Sequence, residues 1–297
     1  MTARTVLITG GGGQLGRELV RQAPSHVRLH VTWRRTPPPA SPTAHQLDLA
    51  DEEATLRLVE RVRPDVILHT ASGFREETLA RDVVAATRSV AAAARVCGAH
   101  LVHLSTDLVF DGEHAPYGEE DTPAPIHPYG HAKAEAERLV RALCPSAAIV
   151  RTSLITRVSP PDRNSAWVLE KLRAGQPVAL FADELRCPIA VEDLAAQLWE
   201  LVALPPERRR GVWHLVGPEA ISRFALGLLL AHRHGLDVSL VRPSSSRAFP
   251  HPRPRDVRLR TDRADRLLRT RPRPISAVIT RSYTDTDSGQ RCIRGVL

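Results

Sequence analysis

An apolar strand, Thr5-Val6-Leu7-Ile8-Thr9, runs without interruption into Gly10-Gly11-Gly12-Gly13-Gln14-Leu15-Gly16, and a helical pattern opens at Arg17-Glu18-Leu19-Val20. This order constrains the chain more than any other feature. Glycines at 10, 13 and 16 permit a tight turn, close approach of backbone N–H groups to a pyrophosphate, and close packing of helix on strand. The first turn of the helix then points its N–H groups at the anion. The middle glycine falls three residues after the first, a departure from G-x-G-x-x-G spacing. Strand, glycines and helix in sequence predict a dinucleotide site built from Gly10, Gly13, Gln14, Leu15 and Gly16.

The pattern continues as alternating strands and helices. Val27 to Thr32 reads as a second strand, a Pro37-Pro38-Pro39 loop follows, and Glu52 to Val62 has the spacing of an amphipathic helix. Asp65 to His69 reads as a buried strand, Arg81 to Cys97 as an Ala-rich helix, and Leu101 to Leu104 as a further strand. Strands joined through helices need right-handed crossovers and give a parallel sheet, so the fold class is α/β, a Rossmann-type doubly wound sheet. Ligands collect beyond the carboxyl ends of such strands. Thr9 to Gly16, Arg34, Asp48, Thr70-Ala71-Ser72 and Thr106 all fall there.

A proton-transfer pair follows. Tyr129 and Lys133 are four apart and share one helical face, where an ammonium can stabilise a phenolate. Thr106, ending the preceding strand, can hydrogen-bond the same reacting oxygen. The three residues predict acid–base chemistry at a carbonyl or carbinol.

The second strand exits through Thr32-Trp33-Arg34-Arg35, where an acidic residue would have selected NAD. Two guanidinium groups suit a 2′-phosphate instead, which favours NADPH over NADH.

The glycine turn, Ser105-Thr106-Asp107-Leu108-Val109-Phe110-Asp111-Gly112 and Pro128-Tyr129-Gly130-His131-Ala132-Lys133 together resemble the extended short-chain dehydrogenase/reductase family, and within it the dTDP-4-dehydrorhamnose reductases. The likeness continues through Val150-Arg151-Thr152-Ser153, Asp183-Glu184-Leu185-Arg186-Cys187-Pro188, Val191-Glu192-Asp193-Leu194-Ala195 and Arg253-Pro254-Arg255-Asp256-Val257-Arg258-Leu259. It implies a nucleotide-binding domain over residues 1–151, a smaller substrate lobe over 152–270 interleaved with a return segment to the first domain, and a basic tail over 271–297. It implies reduction of the keto group of a nucleotide-activated 4-keto-6-deoxysugar with Tyr129 as general acid. Lys133 would also hold the nicotinamide ribose, Asp48-Leu49 would lie beside the adenine, and Thr106, Asp107 and Leu154 would meet the substrate.

Departures from the family pattern leave the sugar open. Leu154 replaces a tryptophan, Ser72-Gly73-Phe74-Arg75-Glu76-Glu77 replaces an acidic, Tyr-containing segment, and Val83 stands where the wider family has an asparagine. Other readings are a reductase or epimerase on another nucleotide sugar or ketone, and a non-catalytic NADP-binding partner similar to the regulatory subunit of methionine adenosyltransferase. Intact Thr106, Tyr129 and Lys133 weigh against the last. Glu18 and Glu192 resemble acidic positions that join subunits through magnesium in some relatives, but helix glutamates are usually solvated, and no metal is assigned.

Composition excludes other classes. A 297-residue chain with 42% hydrophobic residues can bury a sizeable core. Its net charge of +8 comes largely from arginines after residue 207, without aromatic interleaving or a recognition motif, which argues against nucleic acid and for a solvated basic face partly directed at an anionic substrate. Four scattered cysteines form neither a zinc pattern nor a disulfide framework. No leader pattern precedes the first strand and no apolar run is long enough to span a bilayer, so the expected setting is cytoplasmic, away from membranes. A homodimer is the assembly such folds commonly form. The Pro- and Arg-rich stretch from Arg271 onward is expected to be at least partly disordered.

Overall fold

In the computed structural model, which describes residues 4–38, 43–249 and 252–280, the strand entering the glycine turn is the middle of the molecule. Strand β1 (Arg4–Thr9) pairs in parallel with β2 (Val27–Trp33) on one side and β4 (Val66–His69) on the other. Beyond β2 lies β3 (Ala44–Gln46); beyond β4 lie β5 (His100–Thr106), β6 (Ala148–Thr152) and an edge strand, Gly211–Leu215. All neighbours are parallel. The chain runs outward in one direction through β2 and β3 and in the other from β4, so the order reverses at β1, and a crevice opens at that switch point.

Period-two alternation decides which face each strand residue covers. Val6, Ile8, Val31, Leu68, Val102 and Val150 face helices α1 (Gln14–Arg21) and α6 (Val191–Ala203), with Leu19, Leu198 and Trp213 completing that layer. Leu7, Ile67, Leu101 and Ile149 face α2 (Glu52–Val62), α3 (Ala86–Cys97) and α4 (Pro128–Leu143). Helix α2 starts where its sequence signals it should, with Asp51 accepting from the N–H of Ala54 at 2.9 Å. The segment read as one helix from Arg81 is divided: residues Ala80–Ala85 are π-helical and α3 begins at Ala86.

The smaller C-terminal lobe packs α5 (Arg163–Arg173) and a helix at Arg223–Arg233 around a small core of Val168, Leu169, Leu172, Leu226 and Leu230. Its strands are short pairs, Val178–Phe181 with Val241–Ser244 and Leu185–Arg186 with Ile221–Ser222. The strand at Gly211–Leu215 returns to the main sheet beside β6.

Two expectations are corrected. The first ten residues of the stretch expected to be partly disordered are ordered: Ile275–Thr280 is helical, and Ile275 and Ile279, four apart on one face, are fully buried in the lobe core. Arg273 joins this segment to Asp193 at 2.8 Å. Apolar burial and an ion pair thus order what composition alone marks as tail, while residues 281–297 lie outside the described residues. Glu18 is not solvated either. It is 4% exposed and accepts from Arg21 and Gln22, with Arg157 at 3.7 Å.

The glycine turn is sterically committed. A Cβ on Gly16 would sit 2.3 Å from the Gly10 carbonyl oxygen and 2.7 Å from the Gly11 Cα, both backbone atoms that cannot swing aside. Gly10 itself has φ +75°. We expect Gly16→Ala to lower stability by about 2 kcal/mol or more, read as a lower urea midpoint with unchanged slope. Gly13→Ala, whose nearest contact would be 3.2 Å, should cost less. A wild-type midpoint for Gly16→Ala would refute this packing.

Candidate active site

The crevice above the sheet is a cleft of ≈ 940 Å³ that runs from the glycine turn, past the ends of β1, β4 and β5, to the lobe. Gly10, Gly13, Gln14, Leu15 and Gly16 line its floor at one end, where the first-turn N–H groups of α1 have no helical partner. Thr70, Ala71 and Ser72 form the adjoining wall, and Thr70 donates to the Thr9 carbonyl at 2.6 Å. Arg34, Arg35, Asp48 and Leu49 line the end beyond β2, and Thr106, Tyr129, Lys133 and Leu154 line the middle.

Tyr129 stands on the first turn of α4, whose start is set by Pro128 and by His127 Nδ1 accepting from the Tyr129 N–H at 3.2 Å. Its hydroxyl meets Ser72 Oγ at 3.3 Å, and its ring packs at a tilt against exposed Phe74, with ring centroids 4.9 Å apart. Burial, reinforced by the charge of Asp107, pushes the phenol up to about 12, although Ser72 opposes the shift. Lys133, one turn further along α4, is 2% exposed and donates to the Leu104 carbonyl at 2.5 Å, with His103 Nε2 at 3.3 Å. Burial pulls its ammonium down to about 8. The reading that Lys133 lowers the tyrosine is therefore corrected for this state: the ammonium is held from beneath by β5, and the phenol is raised. Both His69 and His103 are buried below Lys133 and held below their ordinary range by burial, so they are neutral at physiological pH.

Val83 fills the place read as an asparagine position. It is buried with Leu79 and Ala136 and backs the helix that carries Tyr129 and Ala132. Thr106 is 7% exposed; its oxygen accepts from the Leu108 N–H at 3.2 Å and donates to Asp107 at 3.1 Å.

Two residues are placed differently from expectation. Asp107, read as a substrate contact, does not line the cleft. It is fully buried and receives Arg186 Nε and Nη2 at 2.8 and 2.5 Å. A carboxylate removed from water needs such a fork, and Arg186 faces the cleft in its stead. Arg34, read as a free phosphate ligand, gives Nη1 and Nη2 to Asp82 at 2.5 and 2.9 Å.

Sequence reasoning missed three arginines as site residues. Arg186, Arg223 and Arg253 converge on the lobe end of the cleft, with Glu184 between Arg223 (3.3 Å) and Arg253 (2.8 Å). Three guanidinium groups against Glu184 and Asp107 leave one net positive charge, and Arg186 Nη1 is buried with no hydrogen-bond partner among the described residues. The motif stretches at 183–188 and 253–259 contain two of them, but Arg223 carries no local signal. Among the described residues no cluster of His, Cys, Asp or Glu is arranged to hold a metal, and no helix is long and apolar enough to cross a membrane.

Comparison with known proteins places this geometry. The family model described as RmlD substrate binding domain matches residues 4–287. The dTDP-4-dehydrorhamnose reductase of Mycobacterium tuberculosis is 33% identical over 264 residues, covering 84% of this chain and 82% of its own. The methionine adenosyltransferase 2 subunit beta of Danio rerio is 29% identical over 278 residues, covering 89% and 85%. The dTDP-4-dehydrorhamnose reductase of Bacillus anthracis, solved with NADP, superposes with a TM-score of 0.81 at 23% identity, covering 96% of this chain and 99% of that one.

The burial of Lys133 has a measurable cost. Its value falls from 10.5 to about 8 on folding, so the charged form is penalised by roughly 3 kcal/mol below about pH 8. The penalty is relieved as pH rises through 8 toward 10.5, where the unfolded chain also loses the proton. Lys133→Met should therefore melt no lower than wild type at pH 7, with a gain of about 1–2 kcal/mol after the lost bond to Leu104, and the advantage should shrink toward pH 10. A variant less stable at pH 7 than at pH 10, relative to wild type, would contradict the assignment.

Proposed function

The chain belongs to the RmlD substrate binding domain family, and on that premise we propose that it is an NADPH-dependent reductase of the keto group of a nucleotide-activated 4-keto-6-deoxysugar. One observation carries the reading: a single cleft joins an anion-binding helix terminus, a tyrosine–lysine–threonine centre and an arginine cluster. That order fits a dinucleotide at one end, a carbonyl in the middle and a nucleotide diphosphate at the other.

The glycine turn suits the coenzyme. With no side chain on Gly10, Gly13 or Gly16, the backbone lies open to a pyrophosphate, and the N-terminal dipole of α1 favours the anion. Bound NADPH would supply the hydride to the carbonyl carbon. Tyr129 would donate its proton to the oxygen, a role that a neutral phenol fills at any pH below about 12. Lys133 spends two of its three donors on β5 and keeps one for the nicotinamide ribose. Thr106 would hold and polarise the carbonyl oxygen. Phe74 offers an aromatic face beside Tyr129 on the cleft wall. The unpartnered Nη1 of Arg186 supports an anionic ligand, because a buried donor gains most from a charged acceptor.

The first test is oxidation of NADPH, with NADH beside it, in the presence of dTDP-4-keto-6-deoxyhexoses. Turnover is expected. Tight coenzyme binding without turnover on any of them would overturn the reading and favour a nucleotide-binding partner. Tyr129→Phe should reduce kcat by about a hundredfold or more while sparing coenzyme affinity, and preserved turnover would remove Tyr129 from the chemistry. Arg34→Ala combined with Arg35→Ala should weaken NADPH much more than NADH; equal losses would remove the pair from the phosphate subsite.

A further inference from the structure

The adenosine end of the cleft holds more charge than two arginines. Arg34 is clamped end-on by Asp82, whose side chain is 7% exposed, and lies 3.9 Å from Asp48. Arg81 closes the group by pairing with both Asp48 and Asp82. Two arginines and two aspartates thus form an alternating quartet with no net charge, and Arg34, Asp48 and Asp82 of that quartet line the cleft. Arg35, on the same wall, has no ion pair among the described residues.

We propose that Asp82 sets the coenzyme preference by holding Arg34 neutralised, so that Arg35 is the principal cation offered to a 2′-phosphate and NADH remains an accepted coenzyme. This rests on the dinucleotide reading above. A phosphate approaching Arg34 must share it with a carboxylate already on both Nη atoms and repelling the incoming charge. The 2′-hydroxyl of NADH meets no such opposition and finds acceptors in Asp48 and Asp82. The clamp is built in: Gly73 packs so close that a Cβ there would fall 2.7 Å from the Asp82 Cβ, which fixes the aspartate under the loop after β4. Arg34 also holds the Asp82 carboxyl down to about 2, so the carboxylate is charged at every working pH. Asp82 acts through Arg34 and is a positioning residue.

Dissociation constants for NADPH and NADH, measured by quenching of tryptophan fluorescence, test the proposal, since Trp33 borders the subsite. Asp82→Asn keeps the shape and removes the charge. It should tighten NADPH about tenfold and change NADH by less than about twofold, and the gain should shrink in an Arg34→Ala background. A merely structural role would move both coenzymes together, so an unchanged or lowered NADPH-to-NADH preference overturns the inference. Should Asp82→Asn not fold, the single variants decide: Arg35→Ala must cost more NADPH affinity than Arg34→Ala, and the reverse order overturns the proposal. Wild type that binds neither coenzyme overturns the dinucleotide reading and this inference with it; wild type that binds both, with the ratio unmoved by Asp82→Asn, overturns this inference alone.

Discussion

The buried pair between Asp107 and Arg186 is the interaction on which the cleft depends. Asp107 follows β5 directly, Arg186 belongs to the lobe, and both are almost wholly withdrawn from water. Neither charge is tolerable there alone, since removing one partner of such a pair typically costs about 3–5 kcal/mol. The two halves of the molecule therefore close on one geometry at the place where Thr106 ends β5. A second buried pair, Glu137 with Arg151, does the same for the helix carrying Tyr129 and Lys133. Glu137 receives Arg151 Nη2 at 2.9 Å and the Ser105 hydroxyl at 2.6 Å, tying α4 to β5 and β6 together. Charged residues in this protein fix register around the site.

That rigidity explains the state of the site residues. Lys133 is packed over neutral His103 and against the Leu104 carbonyl, so its ammonium is poorly solvated and shifted toward neutrality. Tyr129 is shifted the other way by the same burial. The two shifts run in opposite directions, and only that of Lys133 opposes folding at neutral pH, because the phenol is uncharged there in both the folded and the unfolded chain. The alternating quartet beyond β2 follows the same logic, with arginines and aspartates held in mutual pairs.

Several features were legible because they follow from local chemistry. The glycine turn announced itself through residues that only a close backbone approach requires, and Glu52–Val62 through apolar spacing behind an aspartate cap. Tyr129 and Lys133 stood out through helical spacing taken together with Thr106 at the end of the preceding strand and the glycine turn. The arginine cluster was not, because Arg186, Arg223 and Arg253 come from three segments that meet only when the lobe folds. For the same reason the surroundings of Asp107 lay beyond the sequence: its partner, Arg186, is far away in the chain, whereas Glu18 finds Arg21 and Gln22 nearby and is removed from water only by the packing of the fold around it.

The sequence by itself therefore determined the parallel sheet, the tight glycine turn and the shared helix of Tyr129 and Lys133, since each rests on backbone sterics or on spacing within one element. Only the tertiary structure decided which charges are free and which are spent. Ion pairing is set by distance in space and by the loss of water, and neither is written in the order of residues. Arg34 and Arg35 are neighbours in sequence and alike in chemistry, yet the fold places an aspartate on one and leaves the other open to the cleft.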